Sequence, residues 1–141
     1  MAIKQLSVFA ENKKGSLREI TDALAKANIN LRSLCVADTS DYGIVRIIAD
    51  KPEEAKALLE SEGHASNIRH INAFAVPDQP GGLAKVLNIL ESNDVEIEYM
   101  YALITTEDGK AYSVMRTGDT EETDEILKSS GIELLDEAKL Q

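Results

Sequence analysis

Two short stretches combine residue types that could hold both ends of a small zwitterion: Asn12-Lys-Lys-Gly-Ser-Leu17 and Asp78-Gln-Pro-Gly-Gly-Leu83. Each follows an apolar run, opens on a short amide or acid, has a glycine three residues later and a leucine two beyond that. Glycine lets the backbone turn sharply and come close to whatever lies above it. A helix starting behind it presents unpaired N–H groups and a partial positive charge, a seat for a carboxylate. Asn12 or Asp78 can receive an ammonium group. These parts suit the two ends of an α-amino acid. A glycine ahead of a helix is also simply a turn, and that is the better reading of one break alone; the repeated construction narrows the advantage of that reading without removing it.

The elements that position these breaks alternate between short β-rich runs and amphipathic helices. Ile3 to Ala10 reads as a strand, and Leu17, Ile20, Leu24 and Ala27 recur at helical spacing after the first break. Ser16 and Glu19 have the spacing of a capping box, which starts the helix just after Gly15. Strands are expected at Ile29 to Ala37 and Ile44 to Ala49. A helix opens at Pro52, where a missing N–H costs nothing, and stops near Gly63; a strand follows at Asn67 to Ile71. The order β-α-β-β-α-β then begins again. Asn72 to Val76 is a strand, Leu83 to Leu90 a helix, Val95 to Ile104 and Ala111 to Arg116 strands. Asp119 and Glu122 start a last helix, and Ile132 to Leu135 a last short strand.

The halves match at an offset of 66: Gly15 with Gly81, Leu17 with Leu83, Leu24 with Leu90, Thr39 with Thr105 and Gly43 with Gly109. The matches fall on breaks and helix faces in the same order, which is the mark of an internal repeat. The expected fold is therefore α+β: two ferredoxin-like βαββαβ modules in tandem, residues 1–71 and 72–141, each an antiparallel sheet with helices on one face. By strict alternation Ile97, Tyr99, Tyr101 and Leu103 share one face and Met100, Ala102 and Ile104 the other; likewise Leu34 and Val36 lie opposite Leu31 and Cys35. A sheet face turned to water should be polar. These are only partly so, and the inference is that the second face packs on another sheet, most simply in a homodimer.

The loop Asp78-Gln-Pro-Gly-Gly-Leu83 resembles the loop between first strand and first helix of ACT domains: Asn or Asp, any residue, Pro, Gly, any residue, Leu. Asn12-Lys-Lys-Gly-Ser-Leu17 is similar but has Lys14 in place of the proline. Ala27-Asn-Ile-Asn-Leu31 and Asn93-Asp-Val-Glu-Ile97 resemble the start of that family's second strand. The likeness covers nearly the whole chain as two consecutive copies. It implies an amino-acid ligand held between adjacent ACT domains, with a regulatory rather than catalytic role. Carried over by position, the ligand residues are Asn12, Gly15, Ser16, Leu17 and Asn30 in the first copy. In the second they are Asp78, Gly81, Gly82, Leu83 and Glu96. Carboxylates replace amides at Asp78 and Glu96. If each loop faces the other copy's second strand, Asn12 joins Glu96 and Asp78 joins Asn30, one acid and one amide per site. Glu96 also reads as a solvated strand residue.

Composition narrows the alternatives. The 141 residues carry 15 basic and 25 acidic side chains, a net charge of −10 with the basic residues scattered, which argues against a nucleic-acid partner. The longest apolar run, Tyr99 to Ile104, is far too short to span a membrane, and the start lacks a signal-peptide apolar block, so a cytoplasmic location is expected. Cys35 is the only cysteine and reads as a small buried hydrophobe. His64 and His70 lie outside both breaks and join no nucleophile or ligand cluster, so no catalytic site, metal or cofactor is expected. An RNA-binding domain of the same topology would need a basic surface and stacking aromatics. The rival that stays open is a regulatory subunit of an amino-acid-metabolising enzyme, using the apolar sheet face for a different partner.

Overall fold

The computed structural model describes residues 2–11, 13–38, 42–104 and 107–140. The chain divides into two compact units, 4–69 and 70–141, the latter with residues 1–3. In the first unit, β1 (Ile3–Glu11) leads through α1 (Ser16–Lys26) to β2 (Leu31–Asp38), β3 (Tyr42–Ala49), α2 (Pro52–Ser61) and β4 (Ser66–Pro77). The sheet order is β2-β3-β1-β4, and Leu6 sits opposite Ile47 in the antiparallel β1–β3 pair. The second unit uses the later residues of β4, then α3 (Gly82–Ser92), β5 (Ile97–Ala102), β6 (Lys110–Thr117), α4 (Thr120–Ser129), β7 (Glu133–Leu134) and a 3-10 turn, Glu137–Leu140. Its order is β7-β4-β6-β5. Both units are α+β, antiparallel and ferredoxin-like. The expected separate strands at Asn67 to Ile71 and Asn72 to Val76 are one strand, β4, because no turn residue interrupts them.

Each unit buries its own core between helices and sheet. Leu6, Val8, Ile20, Leu24, Ile47 and Leu59 form the first, and Phe74, Val86, Leu90, Met115 and Leu127 the second. Leu17 and Leu83 do not join these cores: they remain 42% and 38% exposed, on the first turns of their helices.

Strict alternation fails in the second strand of each unit. The β2–β3 register shifts between Leu31 and Ser33, and the β5–β6 register shifts between Ile97 and Tyr99, one bulge per copy at the same offset of 66. An extra residue restores the face of the one before it. Leu31 and Leu34 therefore both pack on the first core, and Ile97 and Met100 both pack on the second. The expected grouping of Ile97 with Tyr99, and of Leu34 opposite Leu31, is corrected accordingly. Cys35 is half-buried on β2, opposite Arg46 in the register.

The repeat also slips once. Asn72 pairs with Met115 where Leu6 pairs with Ile47, so the offset is 66 for β4 and 68 for β6. Gly43, paired with Ala10 inside β3, has Ala111, paired with Val76, as its counterpart. Gly109 instead occupies a turn at φ +78°, so the Gly43–Gly109 match is a coincidence of spacing. The offset of 68 persists afterwards: His64 N–H donates to Leu59 O at 2.9 Å and Ile132 N–H to Leu127 O at 3.0 Å. The Thr39–Thr105 match lies outside the described residues.

Candidate functional site

The two glycine loops adopt the same backbone conformation. Gly15 has φ 92°, ψ −11° and Gly81 φ 86°, ψ −4°, the left-handed region that an L side chain enters only at a cost. Their hydrogen bonds correspond one to one. Lys13 N–H donates to Glu11 O at 2.9 Å, Ser16 N–H to Lys13 O at 3.3 Å and Glu19 N–H to Gly15 O at 3.0 Å; Gln79, Gly82 and Lys85 donate to Pro77 O, Gln79 O and Gly81 O at 2.9, 3.1 and 3.0 Å. Each turn thus closes on itself before its helix starts. Among the described residues, the Leu17 and Arg18 amides of α1 and the Leu83 and Ala84 amides of α3 have no acceptor. These are the orphan donors of a helix start.

No capping box forms in the first copy. Gly15 is the N-cap residue and no side chain caps α1. Ser16 is buried instead. At the corresponding place Gly82 meets the Pro77 backbone: a Cβ there would overlap the Pro77 carbonyl oxygen. Asp119 does act as a cap, its Oδ1 accepting from Glu122 N–H at 3.0 Å.

The remaining site residues fall in different places. Asn12 lies outside the described residues. Asp78 is exposed, and its N–H donates to Gly109 O at 2.9 Å, tying the second loop to the β5–β6 turn. Asn30 sits beyond the far end of α1, its N–H on Asp50 Oδ1 at 3.0 Å and its carbonyl accepting from Asp50 N–H at 3.1 Å. An 11-residue helix separates it from Gly15, about 16 Å at 1.5 Å per residue. Glu96 stands in the same relation to Gly81, exposed just before β5. A single unit therefore does not bring its own loop and its own second-strand start together.

Beside the second loop lies a cavity of about 340 Å³ lined by residues that include Pro77, Gly82, Lys85, Lys110, Gly131 and Glu133. Motif reading missed Lys85, Lys110 and Glu133. Lys85 could have been found one helical turn beyond Gly81, but the other two arrive through strand pairing. Lys110 Nζ lies 2.9 Å from a Glu133 oxygen and 3.6 Å from a Glu107 oxygen. Lys139 Nζ lies 3.0 Å from the other Glu133 oxygen, and Tyr112 donates its hydroxyl to Glu107 at 2.6 Å. The hydrogen bonds from Lys110 and Lys139 hold the Glu133 carboxyl below its ordinary value. The bond from Tyr112, then the charge of Lys110, do the same for Glu107. Glu133 in turn raises Lys110.

These lowered carboxyl values set the sign of an acid response. The unfolded chain takes up its protons near the ordinary value of 4.5, before the folded chain does. Stability from Glu133 is thus present above that pH and lost as the pH falls through the lower folded value. Denaturant unfolding followed between neutral pH and pH 3 is expected to show a smaller acid loss in Glu133→Gln than in the parent chain. An equal loss would mean that this cluster is screened out by solvent.

Among the described residues no group of three His, Cys, Asp or Glu could hold a metal ion, and no helix is long and apolar enough to cross a membrane. His64 is half-buried, and His70 is exposed on β4.

Paired βαββαβ units, each with a left-handed glycine between its first strand and first helix, define a tandem of ferredoxin-like modules. A family model described as an ACT domain pair matches residues 1–141, and the chain belongs to that family. Protein BT0572 from Bacteroides thetaiotaomicron is 42% identical over 96% of this chain and 92% of its own, with a TM-score of 0.89. The ligand-free regulatory subunit of aspartate kinase from Thermus thermophilus shares the fold at 16% identity, 89% and 91% coverage and a TM-score of 0.67. The corresponding subunit from Thermus flavus does so at 16% identity, 89% and 90% coverage and a TM-score of 0.62. A search among curated proteins found no match.

Proposed function

We propose that this chain is an amino-acid-binding regulatory protein whose ligand sits on the glycine loops. The observation that carries this reading is the duplicated loop: two left-handed glycines with the same hydrogen bonds, each followed by two backbone N–H groups without an acceptor among the described residues. A carboxylate of the ligand takes those donors, and Asn12 or Asp78 takes the ammonium group. Asn30 and Glu96 contribute only to a loop brought from a neighbouring domain, since α1 and α3 hold them away from their own. The ACT domains are residues 1–71 and 72–141. The protein works in the cytoplasm as a homodimer, and ligand binding favours one arrangement of domains over another by its differential affinity.

Thermal unfolding against the twenty proteinogenic amino acids singly is the test. A ligand that binds only the folded state stabilises it by about 2.7 kcal/mol at a hundredfold excess over its dissociation constant. A rise in midpoint with one amino acid or one chemical class supports the reading, and a flat response to all of them refutes it. In that event the second reading takes over, a regulatory subunit of an amino-acid-metabolising enzyme. The fold shared with the Thermus subunits favours it, and its test is co-purification with such an enzyme.

A further inference from the structure

The β5–β6 turn holds a reactive pair of residues. Of the eight glycines in the chain only Gly109 follows an aspartate, and none follows an asparagine. Asp108 is exposed, and its carboxylate has no hydrogen bond or ion pair among the described residues. Gly109 is the third residue of a turn that Lys110 N–H closes on Glu107 O at 2.9 Å, and it stands at φ +78°. Its own N–H has no acceptor among the described residues. A backbone nitrogen can attack the aspartyl carboxyl before it when no Cβ on its own residue stands in the way and no hydrogen bond holds it. Other turn positions lack these conditions. After Asp94 and Asn28 come β-branched residues whose amides are engaged, Val95 N–H on Leu90 O at 2.9 Å and Ile29 N–H on Leu24 O at 3.0 Å. After Asp78, Gln79 N–H is held on Pro77 O at 2.9 Å.

We infer that Asp108 is a self-modification site, converting to isoaspartate in the folded chain, and that the change releases the second glycine loop. The Gly109 nitrogen forms a bond to Asp108 Cγ; the Cγ–OH bond breaks, and the hydroxyl leaves as water with the amide proton. The five-membered imide then takes up water. Addition at Cγ restores aspartate. Addition at the α-carbonyl carbon leaves Gly109 joined through Cγ and sets free an α-carboxylate. Water is the only co-reactant, and mass and charge end unchanged. The main chain, however, is longer by one atom, the Asp108 Cβ. That insertion displaces the Gly109 carbonyl, which accepts from Asp78 N–H at 2.9 Å and so ties the second loop to this turn. Neither half of the inference depends on what the glycine loops bind.

Ageing of the full chain at neutral pH and body temperature decides it, with isoaspartate located by electron-transfer fragmentation of the peptide that spans residue 108. The expected result is isoaspartate accumulating at position 108 and absent in Asp108→Glu, which keeps the charge but cannot close a five-membered ring. The modified fraction is then separated and its amide exchange followed by NMR. The Asp78 amide is expected to exchange at least about tenfold faster than in the parent chain, the scale of one lost hydrogen bond. The Lys13 amide of the first loop should keep its rate. Isoaspartate that forms only in urea overturns the inference, because the folded turn then holds the two groups apart. An unchanged Asp78 rate in the modified chain overturns the release of the loop. So does equal acceleration at Asp78 and Lys13, which marks general loosening of the fold.

Discussion

Asn72→Ala lowers the unfolding free energy by about 3 kcal/mol, the cost of removing the central member of a buried polar network. Asn72 is fully buried on β4. Its Nδ2 donates to Asp124 Oδ1 at 2.7 Å and to Thr120 O at 2.9 Å. Its Oδ1 accepts from the Thr117 hydroxyl at 2.8 Å, and that hydroxyl lies 2.9 Å from the Thr123 hydroxyl. One side chain thus joins β4, β6 and the first turn of α4. Alanine leaves the Thr117 hydroxyl, the Asp124 carboxylate and the Thr120 carbonyl without their shared partner, in a place from which water is largely excluded.

The first unit contains the apolar control. By register and helix position, Asn72, Thr117 and Thr123 correspond to Leu6, Ala49 and Ala55, all buried, and Asp124 corresponds to Lys56. A network replaced whole by apolar groups of matching shape is close to neutral. Substituting Asn72→Leu, Thr117→Ala, Thr123→Ala and Asp124→Ala together, which leaves no charge at the buried Asp124 position, is therefore expected to recover most of what Asn72→Ala loses. Denaturant melts of the two variants beside the parent check both statements. A loss under about 1 kcal/mol in Asn72→Ala would put the network within the range of ordinary exposed hydrogen bonds.

Gly82→Val is expected to abolish the proposed ligand binding at the second loop and to cost about 2 kcal/mol of stability, the scale of overpacking a close-packed site. The reason is steric: the Pro77 carbonyl oxygen occupies the place of the Cβ. That carbonyl also accepts from Gln79 N–H at 2.9 Å, so the clash can be relieved only by opening the turn that positions Gly81 and the free amides behind it. The first loop lacks this constraint, since it already holds Ser16 in a buried setting. Ser16→Gly is expected to cost no more than about 1 kcal/mol, the entropic penalty of glycine in a helix, and to leave second-loop binding intact. Thermal midpoints with and without ligand read both effects. Unchanged binding in Gly82→Val would place the ligand elsewhere.

Much of this was legible in particular residues. Gly15 and Gly81 marked the loops because their left-handed backbone is a local property of one residue. The helix starts at Ser16, Pro52 and Asp119 were equally local, and the matching of the two halves followed from them. The proposed ligand residues came only from a family pattern. Their burial, their partners and the distance between Gly15 and Asn30 depend on how long α1 is and which way it runs.

By itself the sequence determined two βαββαβ units, the duplicated glycine loops and the apolar faces of the helices, all specified by contacts within about a turn of chain. Tertiary structure decided where those signals had to yield to a neighbouring strand. The bulges in β2 and β5 return Leu34 and Met100 to the core by pairing with β3 and β6, and the offset changes from 66 to 68 only when the registers of Leu6 and Asn72 are compared. The cavity at Lys85 exists because β6 and β7 bring Lys110 and Glu133 beside the second loop from positions far along the chain. Ladder register sums interactions over whole strands, so no window short enough to read as a motif contains it.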